Sequence, residues 1–263
     1  MDLGLQDKVA VVAAASQGLG RAVATALAAE GARVAICSRS QERVEATAKE
    51  IRAQTGAEVL AVEADVTREG DVERFVGAVV KRWGTVHVCV VNAGGPPAKP
   101  FAEITLEDWQ NAVNLNLMSA VHFSRAVLPR MQAQKWGRLI FLTSVAVKQP
   151  IDGLLLSNAV RSGVTGLAKS LANEYGRVNV LVNTVCPGYT RTERLQELID
   201  ALSTRKGVSK QEVVQGWTAQ IPLGRLGVPE ELAALVAFLA SERASYITGS
   251  SIAVDGGHVK SLL

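Results

Sequence analysis

Residues 9–21, Val9-Ala10-Val11-Val12-Ala13-Ala14-Ala15-Ser16-Gln17-Gly18-Leu19-Gly20-Arg21, run from an apolar stretch through small residues into two glycines. A helical pattern over Arg21–Glu30 follows and is halted by Gly31, the residue type that closes a helix in the left-handed conformation. This is a strand, a tight turn and a helix, and the unit recurs along the chain. Further apolar runs stand at Arg33–Cys37, Val59–Ala64, Val86–Val91, Leu139–Thr143, Val178–Val185 and Ser251–Val254. They are continuous rather than alternating, which suits strands covered on both faces of a parallel sheet. Thr105-Leu106-Glu107-Asp108 approximates a capping box before a long helix reaching about Met131, with Asp where Glu or Gln is usual. Pro229-Glu230-Glu231 opens another helix, with acids facing the positive end of its dipole. The alternation predicts a single-domain α/β chain: a doubly wound, Rossmann-type parallel sheet of about seven strands flanked by helices.

Composition narrows the function. The chain has 263 residues, 48% of them hydrophobic, and a net charge of +3. Collagen, coiled coil and wholesale disorder are excluded, and the small charge surplus gives no argument for nucleic acid. No apolar run approaches the ~18 residues that span a bilayer. Cys37, Cys89 and Cys186 are an odd, scattered set, unlike a disulfide framework. With Met1-Asp2-Leu3-Gly4 lacking the features of a secretory signal, a cytoplasmic address is expected. His87, His122 and His258 share no metal-ligand spacing, so no metal is expected.

Ligands of doubly wound sheets sit beyond the carboxyl ends of the strands. At the first such end, Gly18 and Gly20 would let backbone approach a diphosphate at a helix N-terminus; a simple tight turn would also account for them. At the second, a dinucleotide site needs a group that reads the adenosine ribose. Ser38-Arg39 stands there with Arg43 further on, and no carboxylate. An arginine accommodates a 2′-phosphate whereas an acid bonds a free hydroxyl, so NADP(H) is expected over NAD(H).

With these stations in place the chain resembles the short-chain dehydrogenase/reductases, and within them the 3-oxoacyl-(acyl-carrier-protein) reductases, over nearly its whole length. The segment Ala14, Ala15, Ser16, Gln17, Gly18, Leu19, Gly20 falls on the family's Gly-x-x-x-Gly-x-Gly loop. Asp65-Val66 falls on the acid that meets adenine, and Asn92-Ala93-Gly94 on the segment after the fourth strand. Asn116 falls on the asparagine that organises a water, and Ser144 on the serine that polarises the carbonyl. Pro187-Gly188, Thr190 and Thr192 fall on the nicotinamide segment; Ile247-Thr248-Gly249 and Val254-Asp255-Gly256-Gly257 complete the match. The resemblance implies an oxidoreductase acting on a small carbonyl or alcohol, a flap over the substrate around residues 190–217, and a homotetramer.

Two positions depart from the family's Tyr-x-x-x-Lys, thirteen residues beyond the serine: they hold Ser157 and Arg161. The first loop glycine is replaced as well, by Ala14. A serine hydroxyl is a far poorer acid than a phenol, and a guanidinium does not relay protons. Tyr189 and Lys148 are the other candidate proton donors, Tyr175 and Tyr246 being placed away from the site. Arg161 with Ser144, Ser157 and Asn158 is expected to cradle a carboxylate or oxyanion, which points to a carboxylate-bearing substrate. Two alternatives stand beside the reductase: a redox-inactive nucleotide-binding or interaction subunit, and a non-redox lyase or isomerase using Ser157 and Arg161.

Overall fold

The computed structural model describes residues 1–262. Seven strands, β1 (Val9–Val12), β2 (Arg33–Ser38), β3 (Val59–Glu63), β4 (Val88–Val91), β5 (Gly137–Leu142), β6 (Val180–Pro187) and β7 (Ser251–Val254), form one sheet in the order β3-β2-β1-β4-β5-β6-β7. Every pairing is parallel. The chain winds outward from β1 to β3, then returns to lay β4 on the other side of β1. The crevice beyond β1 and β4 is therefore the topological switch point, where such sheets bind ligands.

Helices cover both faces. On one lie α1 (Gly18–Ala29), α2 (Gln41–Thr55) and α9 (Pro229–Ala240), whose Val23, Leu27, Val44, Ile51 and Val236 close over Val12, Ile36 and Ile140. On the other lie α3 (Glu69–Trp83), α5 (Ser119–Ala133) and α6 (Leu155–Tyr175), with Phe75 and Phe123 meeting edge to face at 6.3 Å. Two further helices, α7 (Glu193–Lys206) and α8 (Lys210–Thr218), stand apart with a small core of their own around Leu195, Ile199, Val213 and Trp217. They occupy the segment expected to be a flap. No helix among the described residues is long and apolar enough to cross a membrane.

The capping box is present: Thr105 and Asp108 exchange side-chain and backbone bonds at the start of α4 (Leu106–Ala112). The helix expected to run on to Met131 is interrupted, however. Val113–Met118 is a π-helical turn between α4 and α5, a device that re-aims one side chain at a time and recurs at functional sites. It carries Asn116.

Candidate active site

The turn after β1 is built for close approach. A Cβ on Gly20 would lie 2.6 Å from the Ala14 carbonyl oxygen and 2.8 Å from Ala15 Cα, so only glycine lets α1 begin this near the strand. Gln17 is the N-cap of α1 without a side-chain cap bond, and the first turn carries no acid. The helix thus offers free amides and the positive end of its dipole to an anion. Ala14 stands at φ 47°, in the left-handed region where glycine is at ease. Ala14→Gly is expected to stabilise the fold by about 0.5 kcal/mol: relief of about 1–2 kcal/mol of strain, partly offset by the entropy glycine adds to the unfolded chain. Urea unfolding with an unchanged m-value would show it as a raised midpoint.

Neighbouring elements hold this loop in place. Asn92 donates its amide to the Ala14 carbonyl at 3.1 Å, and Thr47 its hydroxyl to the Ser16 carbonyl at 2.9 Å. Arg43 is hydrogen-bonded to the Gln17 side chain. Ser38 turns inward onto the Ser40 carbonyl. Arg39 is exposed and has no partner among the described residues. Asp65 accepts from the amide and the hydroxyl of Thr67, which fixes the turn after β3 beside buried Val66. An uncapped helix end, a glycine cradle and a free cation at the end of β2 fit a dinucleotide carrying an additional phosphate.

At the other end of the crevice, Ser144 follows β5 and its Oγ accepts from the Ala146 amide at 3.1 Å. Ser157 lies in the first turn of α6, only 6% exposed, and its hydroxyl makes no hydrogen bond to any described residue. One turn along the same helix, Arg161 is buried and donates from Nη1 to the carbonyls of Leu142 and Thr143, both at 3.1 Å. From Nη2 it reaches the Gly94 carbonyl at 3.0 Å. Asn116 donates to that same carbonyl at 2.9 Å, while its Oδ1 is sealed without a partner. Burial pushes the Arg161 pKa down to about 10, the nearby Arg194 guanidinium adding to the effect, so the side chain is cationic at neutral pH. No carboxylate pairs with it among the described residues.

This geometry corrects the expected carboxylate cradle. Asn158 is spent on a reciprocal pair with the backbone of Ile151, at 3.1 and 3.2 Å, and three of the guanidinium hydrogens point at carbonyls. Arg161 ties the ends of β4 and β5 together instead of reaching out for an anion. Sequence reading could not find this, because its acceptors are backbone atoms on elements remote in the chain. Tyr246 is fully exposed.

The nicotinamide segment is equally constrained. A Cβ on Gly188 would lie 2.7 Å from that of Asp255. Thr190 is buried with its hydroxyl on the Gly188 carbonyl, and Thr192 caps α7 through the Leu195 amide. Arg194, which no local pattern singles out, reaches across to the Pro96 carbonyl at 2.8 Å and so fastens α7 to the Gly94–Pro97 loop. Tyr189 stacks on Trp217 at 4.4 Å. Burial, and then the Asp152 carboxylate, raise its phenol above the ordinary range. Lys148 is half-buried after the short turn that Ser144 caps. No group of residues among those described could hold a metal ion.

Comparison with known proteins places this arrangement. A family profile described as enoyl-(acyl carrier protein) reductase matches residues 13–259. The 3-oxoacyl-[acyl-carrier-protein] reductase of Aquifex aeolicus is 36% identical over 257 residues, covering 98% of this chain and 99% of that one. L-Sorbose reductase of Gluconobacter frateurii, solved with NADPH and L-sorbose, superposes with a TM-score of 0.94 at 33% identity, covering 100% of both chains. A short-chain type dehydrogenase/reductase from Mycobacterium marinum gives a TM-score of 0.89 at 31% identity over 99% of this chain and 98% of that one. The likeness extends over nearly the full length of these proteins, and the chain belongs to the short-chain dehydrogenase/reductase family.

Proposed function

We propose that the chain is an NADP(H)-dependent oxidoreductase that reduces a carbonyl or oxidises the corresponding alcohol, of the 3-oxoacyl-reductase type but with an altered acid–base pair. The observation that carries this reading is the Arg161 clamp. A buried cation holding Gly94, Leu142 and Thr143 keeps both walls of the reaction centre in register, which a chain that had abandoned turnover would not need.

Gly18, Leu19, Gly20, Ser16 and Gln17 would hold the diphosphate, Ser38 and Arg39 the ribose phosphate, and Asp65 the adenine. Asn92, Ala93, Gly94, Pro187, Gly188, Thr190 and Thr192 would hold the nicotinamide half. When bound, the cofactor supplies or takes up the hydride. Ser144 donates a hydrogen bond to the substrate oxygen, and Ser157 offers a second, unpartnered hydroxyl beside it. The fixed charge of Arg161 lowers the cost of negative charge growing on that oxygen. A serine hydroxyl being a weak acid, water completes the proton transfer and turnover is slow. The same reading carries a cytoplasmic homotetramer, and sedimentation velocity of the purified chain would show the assembly.

Titration with NADPH and NADH, followed by nicotinamide fluorescence, tests the cofactor. NADPH is expected to bind more tightly. Arg39→Ser is expected to weaken NADPH by about 10–100-fold, the worth of a charge-assisted bond to phosphate, and to leave NADH unchanged. Equal loss for both dinucleotides would remove Arg39 from phosphate recognition. A second reading, a subunit that binds the nucleotide without turnover, is favoured by the missing phenol at Ser157. NADPH binding without oxidation across a carbonyl panel would establish it. The lyase or isomerase alternative, which would use Ser157 and Arg161 as an oxyanion site, is left with the Ser157 hydroxyl as its free donor, since Arg161 is committed to three carbonyls.

A further inference from the structure

A cavity of about 550 Å³ lies under α7 and α8, bounded by the Gln149–Gly153 loop, Tyr189, Trp217 and His258. Its size is that of a small-molecule site, about 300–1,000 Å³, and its loop leads directly into Ser157. Leu202, Val208, Val213 and Trp217 supply its apolar wall, and polar side chains line the rest. Two polar groups in it lack protein partners. His258 is only 6% exposed; its Nδ1 is sealed from solvent without a hydrogen bond, and no described residue bonds its other nitrogen. Tyr189, 5.2 Å from the His258 ring centroid, likewise has no bond from its hydroxyl.

His258 is held there by design of the C-terminal turn. The Asp255 carboxylate accepts from the amides of Gly257 and Val259, and Gln149 accepts from the Lys260 amide. The turn therefore wedges an imidazole into the wall of the cavity. Sealing an N–H without an acceptor is costlier than sealing a lone pair, which places the proton on Nε2. A donor on His258 and the Tyr189 hydroxyl together call for an oxygen on the ligand.

The charges at the mouth do not select an anion. Arg205, Lys206, Asp152 and Glu212 all line the cavity, two of each sign, and Glu212 is already engaged with Ser209. Resting on the reductase reading above, we propose that His258 is a specificity-determining residue. It anchors a second, uncharged oxygen of the substrate, a hydroxyl or oxo group remote from the reacting carbonyl. The favoured substrates are neutral hydroxy ketones or diketones, ahead of simple ketones and keto acids.

Four probes of similar length test this: methyl butyl ketone, acetopropyl alcohol, acetonylacetone and levulinate. Binding is read from quenching of Trp217, with Trp217→Phe as control, and turnover separately from NADPH oxidation. The two neutral dioxygenated probes are expected to bind about tenfold more tightly than the simple ketone, the worth of one well-made hydrogen bond. His258→Leu should erase that advantage by raising their KM, with kcat and the simple ketone little changed, and His258→Gln should restore part of it. Equal effects of His258→Leu on all four probes, equal affinity of simple ketone and diketone, or absence of quenching by any probe would overturn the proposal. Tightest binding of levulinate would overturn it too, by handing selection to Arg205 and Lys206. Quenching with no NADPH oxidation would refute the reductase reading and leave the subsite standing.

Discussion

Ser157→Tyr is expected to raise the rate of carbonyl reduction by about 10²–10⁴-fold, the contribution of a positioned general acid. The argument begins from what the parent lacks. Ser157 sits in the first turn of α6 with its hydroxyl unpartnered, a group too weakly acidic to give up a proton as hydride arrives. A phenol at the same point ionises near pH ~10 before any perturbation. Arg161 stands one helical turn away, cationic and fixed by three carbonyl bonds, and its field favours the phenolate, lowering that value further. The substitution alone should therefore recover the gain, and adding Arg161→Lys should bring no further rise in kcat, because an ammonium keeps fewer of the carbonyl bonds. The pH profile carries the signature: reduction needs the protonated phenol, so the variant's rate falls as pH rises through the phenol's pKa, a limb the parent does not show. A variant that folds, binds NADPH and reduces no faster than the parent would place the reaction centre somewhere other than Ser157.

Much of this arrangement was legible in the chain because its signals are local. Uninterrupted apolar runs located the strands, since strands covered on both faces have no polar side to show. Thr105 and Asp108 announced a helix start whose capping box is present. What escaped reading depends on contacts distant in sequence. Nothing in Val113–Met118 marks a π turn, yet that turn brings Asn116 onto the Gly94 carbonyl. Ala14 in the left-handed region was visible only as a missing glycine. Asn158 was read as a free amide, but Ile151, seven residues earlier, occupies both ends of it. Local patterns report which elements form; the partners of a buried polar group are set by how those elements pack.

Arg161 sets the second large effect, and opposing magnitudes decide its form. Arg161→Met removes a guanidinium whose burial is unfavourable: the fall of its pKa from 12.5 to about 10 corresponds to a penalty of roughly 3 kcal/mol on the charged form. Against this, the carbonyls of Leu142 and Thr143 each lose a bond from Arg161, at about 1–3 kcal/mol apiece, while Gly94 keeps its bond from Asn116. The two sides largely offset each other, so the variant should unfold within about 3 kcal/mol of the parent, inside the usual total of about 5–15 kcal/mol. Function should not be spared. Releasing the Gly94 loop from β5 loosens the walls between which Ser144 and the nicotinamide must meet, and displacements of about 1 Å are enough to cost about a hundredfold in rate. NADPH affinity is expected to fall about tenfold or more, with kcat falling further. Arg161→Lys, able to keep one or two of the carbonyl bonds through an ammonium, should lie between parent and Met in both. A Met variant that loses most of its stability would make the arginine a prop for the fold. Unchanged stability, affinity and kcat together would show that the clamp holds nothing the reaction needs.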